Sequence, residues 1–495
     1  MNAEYHSRDL RSPVARLLGL SLLALGVVYG DIGTSPLYTV SQVFFGTAAK
    51  VTNPVVVLGG ISAIFWALTL VVTFKYVVFV LRADHQAEGG VFALYGLLQK
   101  HKTRVGVFLL ILLTLAAGFL FGDGMITPAI SVISAVEGIA VAAPNFSGLI
   151  IPITILILSA LFFVQRKGTS AIGTVFGPVM LVWFFVLGLM GASWIIREPQ
   201  ILQALNPQYI LLFFKTVSVK DVFVILGFVM LATTVAVSAV MLWLWKWPVW
   251  KTLLFSIPFA SIDLVFVIAN SFKFLEGGFV PLGIGLVAFF VMQAWQWGSG
   301  RLSDRMNRSS RMKIKDLFAI RDNEAQASFV NNTTVILSND MIKSLDDVLP
   351  PLDKLYFERN AVMPDHLVFL TVRFWHEPSM AHKRLEIVEL DPTPERGTIL
   401  SVAVNFGFME NADLKSALHE IIKREPSLVH QDIKDWVFHI IVKRLYFENS
   451  ISWLDRMRYG VYKFLYEITP PMDVYLGLNH YHNITLEVLP VVFRS

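Results

Sequence analysis

Apolar runs long enough to cross a bilayer fill residues 17–297, with short polar joints between them. At roughly 20 residues per crossing, about eight segments stand out: 17–45, 55–81, 105–140, 149–164, 171–196, 222–245, 252–274 and 279–297. An even number returns the chain to its starting side. The first segment is interrupted: Tyr29-Gly-Asp-Ile-Gly-Thr-Ser-Pro-Leu-Tyr38 puts Gly30, Gly33 and Pro36, each of which weakens a helix, inside the apolar run. Unwound backbone at bilayer depth is tolerated only where protein or a polar cavity receives the freed amides and carbonyls. Asp31 sits in that break, where a carboxylate costs roughly 2.5–3.5 kcal/mol on insertion scales and so points to an ion site. An extracellular loop between two short helices is the plainer alternative, but 17–29 and 36–45 together make about one crossing.

After Arg301 the pattern becomes that of a water-exposed domain. Strand-like runs fall at 333–338, 366–375, 383–390, 397–406, 436–446 and 484–493, with helical periodicity over Asp413–Lys423 and Ile451–Tyr466. The expected fold class is an α-helical polytopic membrane protein with a C-terminal cytoplasmic α/β domain. Its parts are an N-terminal cytoplasmic segment (1–16), a transmembrane domain (17–297), a basic linker (298–324) and the α/β domain (325–495). Composition agrees, at 55% hydrophobic and 16% charged residues. The net charge of +4 is small and unevenly placed, so it argues topology and not nucleic-acid binding. Lys and Arg concentrate at 8–16, 82, 100–104, 166–167, 246–251 and 301–315, which puts both termini in the cytoplasm. The run at 301–321 reads as the orientation-setting flank of the last span, within reach of anionic headgroups. The absence of cysteine excludes disulfides and thiolate metal sites. The tail shows no phosphate loop and no nucleophile set beside a base, so no enzyme activity is expected.

The remaining intramembrane polar residues need explaining. Asp123, Thr127, Ser131 and Ser134 recur at helical spacing and form one stripe, with Pro128 loosening the ladder beside them. A carboxylate above hydroxyls supplies oxygens that can replace the water shell of a hard cation. Gly122 and Gly124, with the hydroxyl residues, also suit close helix packing, though that leaves Asp123 unexplained. Asp263 lies roughly 15 Å from either end of its segment and needs a partner or a proton. Lys75, about six residues inside the cytoplasmic end of its span, is read first as snorkelling to the headgroups; the sharper alternative pairs it with a buried carboxylate. Arg82-Ala-Asp-His-Gln-Ala-Glu-Gly-Gly90 reads as a charged cytoplasmic turn.

Gly30–Tyr38, Arg82-Ala-Asp84, Glu88-Gly-Gly90, Ile126-Thr-Pro-Ala-Ile-Ser131, Leu205-Asn-Pro207, Ile262-Asp263 and Gly277-Gly-Phe-Val-Pro-Leu282 together resemble the KUP/HAK/KT potassium-uptake family. The resemblance implies proton-coupled potassium uptake across the cytoplasmic membrane on an inverted-repeat transporter fold, with potassium and proton as transported ions and no resident cofactor. It implies Asp31, Tyr38, Thr127 and Ser131 as potassium ligands and Asp123 or Asp31 as the proton carrier. Asp123 stands where the family commonly has Glu, a change of one methylene that bears on proton affinity and ion fit. Lys75, Asp84, Glu88 and Asp263 fall in family-typical supporting positions.

The chain is atypically short. About twelve spans are usual in that fold, and about four are missing here from the second repeat. Segment 222–245, with only Thr233, Thr234 and Ser238 as polar side chains, brings no acidic residue to complete a cation cage. Two functions therefore compete: a potassium:proton symporter, and a transport-inactive shortened paralogue or regulatory subunit that joins a full-length transporter through its tail. A homodimer through the same domain is the other assembly open to the chain. Transport of another small solute on this fold is a third reading, against which the bare-cation ligand chemistry weighs.

Overall fold

The computed structural model describes residues 13–27, 30, 33–35, 38–40, 54–85, 88–99, 103–142, 148–165, 169–216, 226–271, 279–309, 313–322, 328–338, 340–347, 362–375, 377, 379–390, 398–407, 410, 412–425, 428, 432–447, 452–478 and 483–493. The chain divides into two compact units, Met1–Phe289 and Phe290–Ser495.

The first unit is helical. Its elements are α1 (Pro13–Val27), α2 (Pro54–Arg82), α3 (Val91–Leu98), α4 (Arg104–Ala142), α5 (Ile150–Gln165), α6 (Thr169–Arg197), α7 (Gln208–Thr216), α8 (Leu226–Trp243), α9 (Val249–Ser271) and the start of α10 (Phe279–Ser309). Among the described residues, α2, α4, α6, α9 and α10 are long and apolar enough to cross a membrane, and α1, α5 and α8 contain shorter apolar helices. They fall on the segments anticipated from hydropathy, although of the first, 17–45, residues 28–29, 31–32, 36–37 and 41–45 lie outside the described residues. No hydrophobic force drives helices together in lipid, so close backbone approach has to do so. Glycine supplies it: a Cβ on Gly26 of α1 or Gly177 of α6 would lie inside the backbone of the other helix. Gly118 and Gly122 of α4 meet Gly285 and Pro281 of α10 in the same way.

One departure from regularity lies in α2. After Ala67 the helix widens to π geometry over Leu68–Phe79 and then tightens to 3-10 over Val80–Arg82. The Val80 N–H reaches back to the carbonyls of both Lys75 and Tyr76. Such segments are rare, commonly a single turn, and frequent at functional sites. Because i→i+5 bonding puts more residues in each turn, successive side chains diverge less, and adjacent residues can address one neighbour.

The second unit holds a six-stranded sheet ordered β3-β4-β2-β1-β5-β6. The strands are β1 (Ser328–Ser338), β2 (Val362–Trp375), β3 (Leu385–Glu389), β4 (Thr398–Gly407), β5 (Val437–Phe447) and β6 (Ile484–Phe493). All pairings are parallel except β3 with β4. Alternation sorts the side chains onto two faces. Val335, Val368, Leu370, Leu400 and Val402 pack with Leu414, Leu418 and Ile421 of α12 (Leu414–Arg424). Ile336, Leu367, Phe369 and Ile399 pack with Ile314 and Leu317 of α11 (Ile314–Asp322). Within 298–324, α10 continues to Ser309 and α11 buries its apolar residues in that core. Asp413 caps α12 by accepting the Lys415 N–H at 2.9 Å, and Lys423 and Arg424 complement the negative end of its dipole. On the other side of β5, α13 (Trp453–Ile468) places Tyr462 against Leu302 and Leu445.

Candidate ion-handling site

Asp31 lies outside the described residues; of the stretch expected to be unwound, Gly30, 33–35 and 38–40 are described, and all of them are helical, so the described part of the expected break shows no unwinding. Around Asp31, Gly33 is buried and its carbonyl accepts the indole N–H of Trp183 from α6 at 3.2 Å, so protein receives a main-chain oxygen there. Tyr38 is half-buried and donates its hydroxyl to Ser35 Oγ at 2.8 Å. Thr34 Oγ1 bonds back to the Gly30 carbonyl at 3.2 Å.

On α4, Asp123, Thr127, Ser131 and Ser134 are all half-buried. The close-packing face is a different one, carried by Gly118 and Gly122. Gly124 is exposed with open space around its Cα. Pro128 has no N–H to offer the Gly124 carbonyl, which leaves that oxygen beside Asp123 and Thr127 without its usual helical partner. A carboxylate, a main-chain oxygen and two hydroxyls thus line one stretch of α4. No hydrogen bond among the described residues joins Tyr38 to Thr127 or Ser131.

The structure brings together a different pair. Lys75 is not a snorkelling side chain; it and Asp263 are completely buried, with Lys75 Nζ 2.7 Å from Asp263 Oδ2 and 2.9 Å from Oδ1. The ammonium's remaining hydrogen goes to the Met230 carbonyl at 2.9 Å. Thr234 Oγ1 donates to Asp263 Oδ2 at 2.6 Å. Beside it, Thr233 Oγ1 donates to the Met230 carbonyl at 2.8 Å and meets the Tyr76 hydroxyl at 3.1 Å. Snorkelling fails because Lys75 and Tyr76 of the wide turn both face α8, and Asp263 of α9 meets the ammonium there. A charge removed from water is tolerated when paired and hydrogen-bonded, and here both are satisfied.

Asp84 and Glu88 are exposed. They flank a tight turn in which His85 and Glu88 exchange backbone hydrogen bonds at 2.9 and 3.0 Å. Gly90 then adopts a φ of 88°, a conformation that favours glycine, and α3 starts at the next residue. Leu205-Asn-Pro207 has a structural task that its sequence did not reveal. The Leu205 carbonyl accepts Trp66 Nε1 at 3.0 Å, the Asn206 carbonyl accepts Ser62 Oγ at 3.2 Å, and Asn206 Oδ1 accepts the Gln208 N–H at 3.0 Å to start α7.

Helices of spanning length, a loosened polar stretch in one of them and a doubly wound tail define a polytopic membrane protein with an α/β domain. Comparison with known families matches residues 18–238 and 227–300 to the K+ potassium transporter integral membrane domain and residues 334–490 to the K+ potassium transporter C-terminal domain. The chain belongs to this potassium transporter family. Similar relatives include the probable potassium transport system protein Kup of Anaeromyxobacter sp. strain Fw109-5, 52% identical over 220 residues, covering 44% of this chain and 33% of the relative. Kup 1 of Geobacter sulfurreducens is 50% identical over 230 residues, covering 45% and 35%. These matches span about a third of each relative's length. The Kup protein of Acidithiobacillus ferrooxidans is 29% identical over an alignment of 570 positions that takes in 83% of this chain and 86% of the relative. Since the chain has 495 residues, well over a hundred of those positions stand opposite no residue here.

Proposed function

We propose that this chain takes up potassium across the cytoplasmic membrane as a potassium:proton symporter. The observation that carries the proposal is the match of residues 18–300 to the potassium transporter membrane domain. In this reading Asp31, Tyr38, Thr127 and Ser131 strip water from the ion, helped by the main-chain oxygen that Pro128 loosens at Gly124. Asp123 or Asp31 carries the coupled proton. The Lys75–Asp263 pair ties α2 to α9, and Asp84 and Glu88 act from the turn before α3. Both termini are cytoplasmic, as the placement of Lys and Arg supports.

A second reading has its own support: a transport-inactive shortened paralogue, or a regulatory subunit of a full-length transporter. Residues 227–238 lie in both matched stretches of the membrane domain, which supports placing the shortening within α8. That position removes most of the repeat against which a first repeat would rock. Expression in a bacterium lacking its own potassium uptake separates the readings. Symport predicts growth at low external potassium that Asp31→Asn abolishes and Asp123→Asn uncouples from the proton gradient. Well-inserted protein that supports no growth, or supports it equally with Asp31→Asn, overturns symport by this chain; copurification with a full-length paralogue then favours the subunit.

A further inference from the structure

Lys75 is coordinated as a small cation is coordinated. Its ammonium is held by two carboxylate oxygens and a main-chain carbonyl at 2.7–2.9 Å, all protein atoms, in a site with no exposed side-chain surface. The same oxygens are tied down from behind. Thr234 fixes Asp263 Oδ2, Thr233 fixes the Met230 carbonyl, and Tyr76 meets Thr233. One turn further along α8, Ser238 bonds to the Thr234 carbonyl and to Ser256 of α9, both at 2.6 Å. Carboxylate and carbonyl oxygens converging on one point, oriented by outer hydroxyls, are the donor set that hard monovalent cations select.

We propose that Asp263, the Met230 carbonyl and Thr234 form an intramembrane site for a monovalent cation, which the chain occupies with its own Lys75 ammonium. The site is separate from the one assigned to Asp31 and α4 and does not depend on that assignment. It has a consequence for the short chain: the oxygens that α8 and α9 offer are already taken by a tethered positive charge. A transported ion therefore has to find its ligands elsewhere than at Asp263 and the Met230 carbonyl.

Lys75→Ala tests the proposal, because it removes the ammonium and leaves its space. Purified Lys75→Ala is compared with wild type and with Lys75→Ala/Asp263→Asn in N-methyl-D-glucamine, rubidium, potassium, sodium and methylammonium chlorides at one ionic strength. The expected result is a melting temperature for Lys75→Ala that rises by roughly 3 °C or more in at least one small cation, beyond any rise in wild type. That extra rise is lost in the double variant. If Lys75→Ala cannot be recovered in N-methyl-D-glucamine, recovery on preparation in a small cation is the same positive result. A Lys75→Ala protein that responds to cations no more than wild type overturns the proposal. So does one recovered in no cation while Lys75→Met/Asp263→Asn folds. Transport is not read in any arm, so loss of the proposed symport leaves this result intact.

Discussion

A lysine and an aspartate with no exposed surface survive inside a helical bundle only as partners, so the cost of removing either exceeds the cost of removing both. Lys75→Met or Asp263→Asn alone is expected to destabilise the membrane unit by about 3–5 kcal/mol, whereas Lys75→Met/Asp263→Leu falls within about 1–2 kcal/mol of wild type. Unfolding in detergent measures this, and equal losses in single and double variants would contradict it. In the tail, Glu410 is held by an unusually dense set of donors. Burial alone would raise its pKa, but the Arg384 guanidinium, the Ser379 hydroxyl and the N–H groups of Gly407 and Met380 outweigh burial and bring it from an ordinary 4.5 to about 2. A carboxylate depressed on folding contributes stability in full above its unfolded pKa and loses it as pH falls through the folded one. The tail should therefore lose about 2 kcal/mol, allowing for solvent screening, between pH 4.5 and pH 2. Hydrogen exchange of β4 amides across that range checks it, and Glu410→Gln should flatten the dependence. Asp263 announced itself as needing a partner by its depth alone. Which partner was not legible, because distance along α2 says how far Lys75 can reach and nothing about a helix 188 residues away.

At the scale of elements, what was legible followed from periodicity. Period-2 alternation located the strands to within a few residues, as with 484–493, and hydropathy located the spans. The π-helical stretch of α2 was not legible, since Leu68–Phe79 is apolar like the α-helical spans and backbone widening leaves no compositional mark. Helix α11 was hidden for another reason: Ile314, Leu317 and Phe318 are few and sit among charges, so the stretch read as linker until the sheet supplied a face to cover. Segment 222–245 looked deficient because it lacked a carboxylate. In the fold, its Thr234 satisfies a carboxylate that α9 brings to it, and its Thr233 satisfies the Met230 carbonyl one turn earlier on the same helix. The Leu205-Asn-Pro207 turn carries a prediction of this scale. Asn206→Ala removes the acceptor for the Gln208 N–H and should cost about 1 kcal/mol, read as roughly fivefold faster exchange of the first α7 amides with α4 unchanged. Equal acceleration in both helices would point to global loosening instead.

The whole molecule combines a family membrane domain with a six-stranded, mostly parallel sheet. Its orientation can be tested directly, because the chain has no cysteine to remove. With both termini inside, Lys50→Cys and Lys220→Cys should react with an impermeant maleimide on intact cells, while Lys102→Cys and Lys313→Cys should react only after permeabilisation. The reverse pattern would invert the topology. The candidate potassium ligands were legible as a resemblance and as residue chemistry, whereas helical spacing orders side chains along α4 and does not say which helix faces them. The most direct test of the central claim is rubidium flux into liposomes holding the purified chain alone, with and without an inward proton gradient. The account predicts uptake that the gradient accelerates and Asp31→Asn abolishes. Protein correctly inserted yet giving no flux above Asp31→Asn, with the gradient or without it, would contradict it.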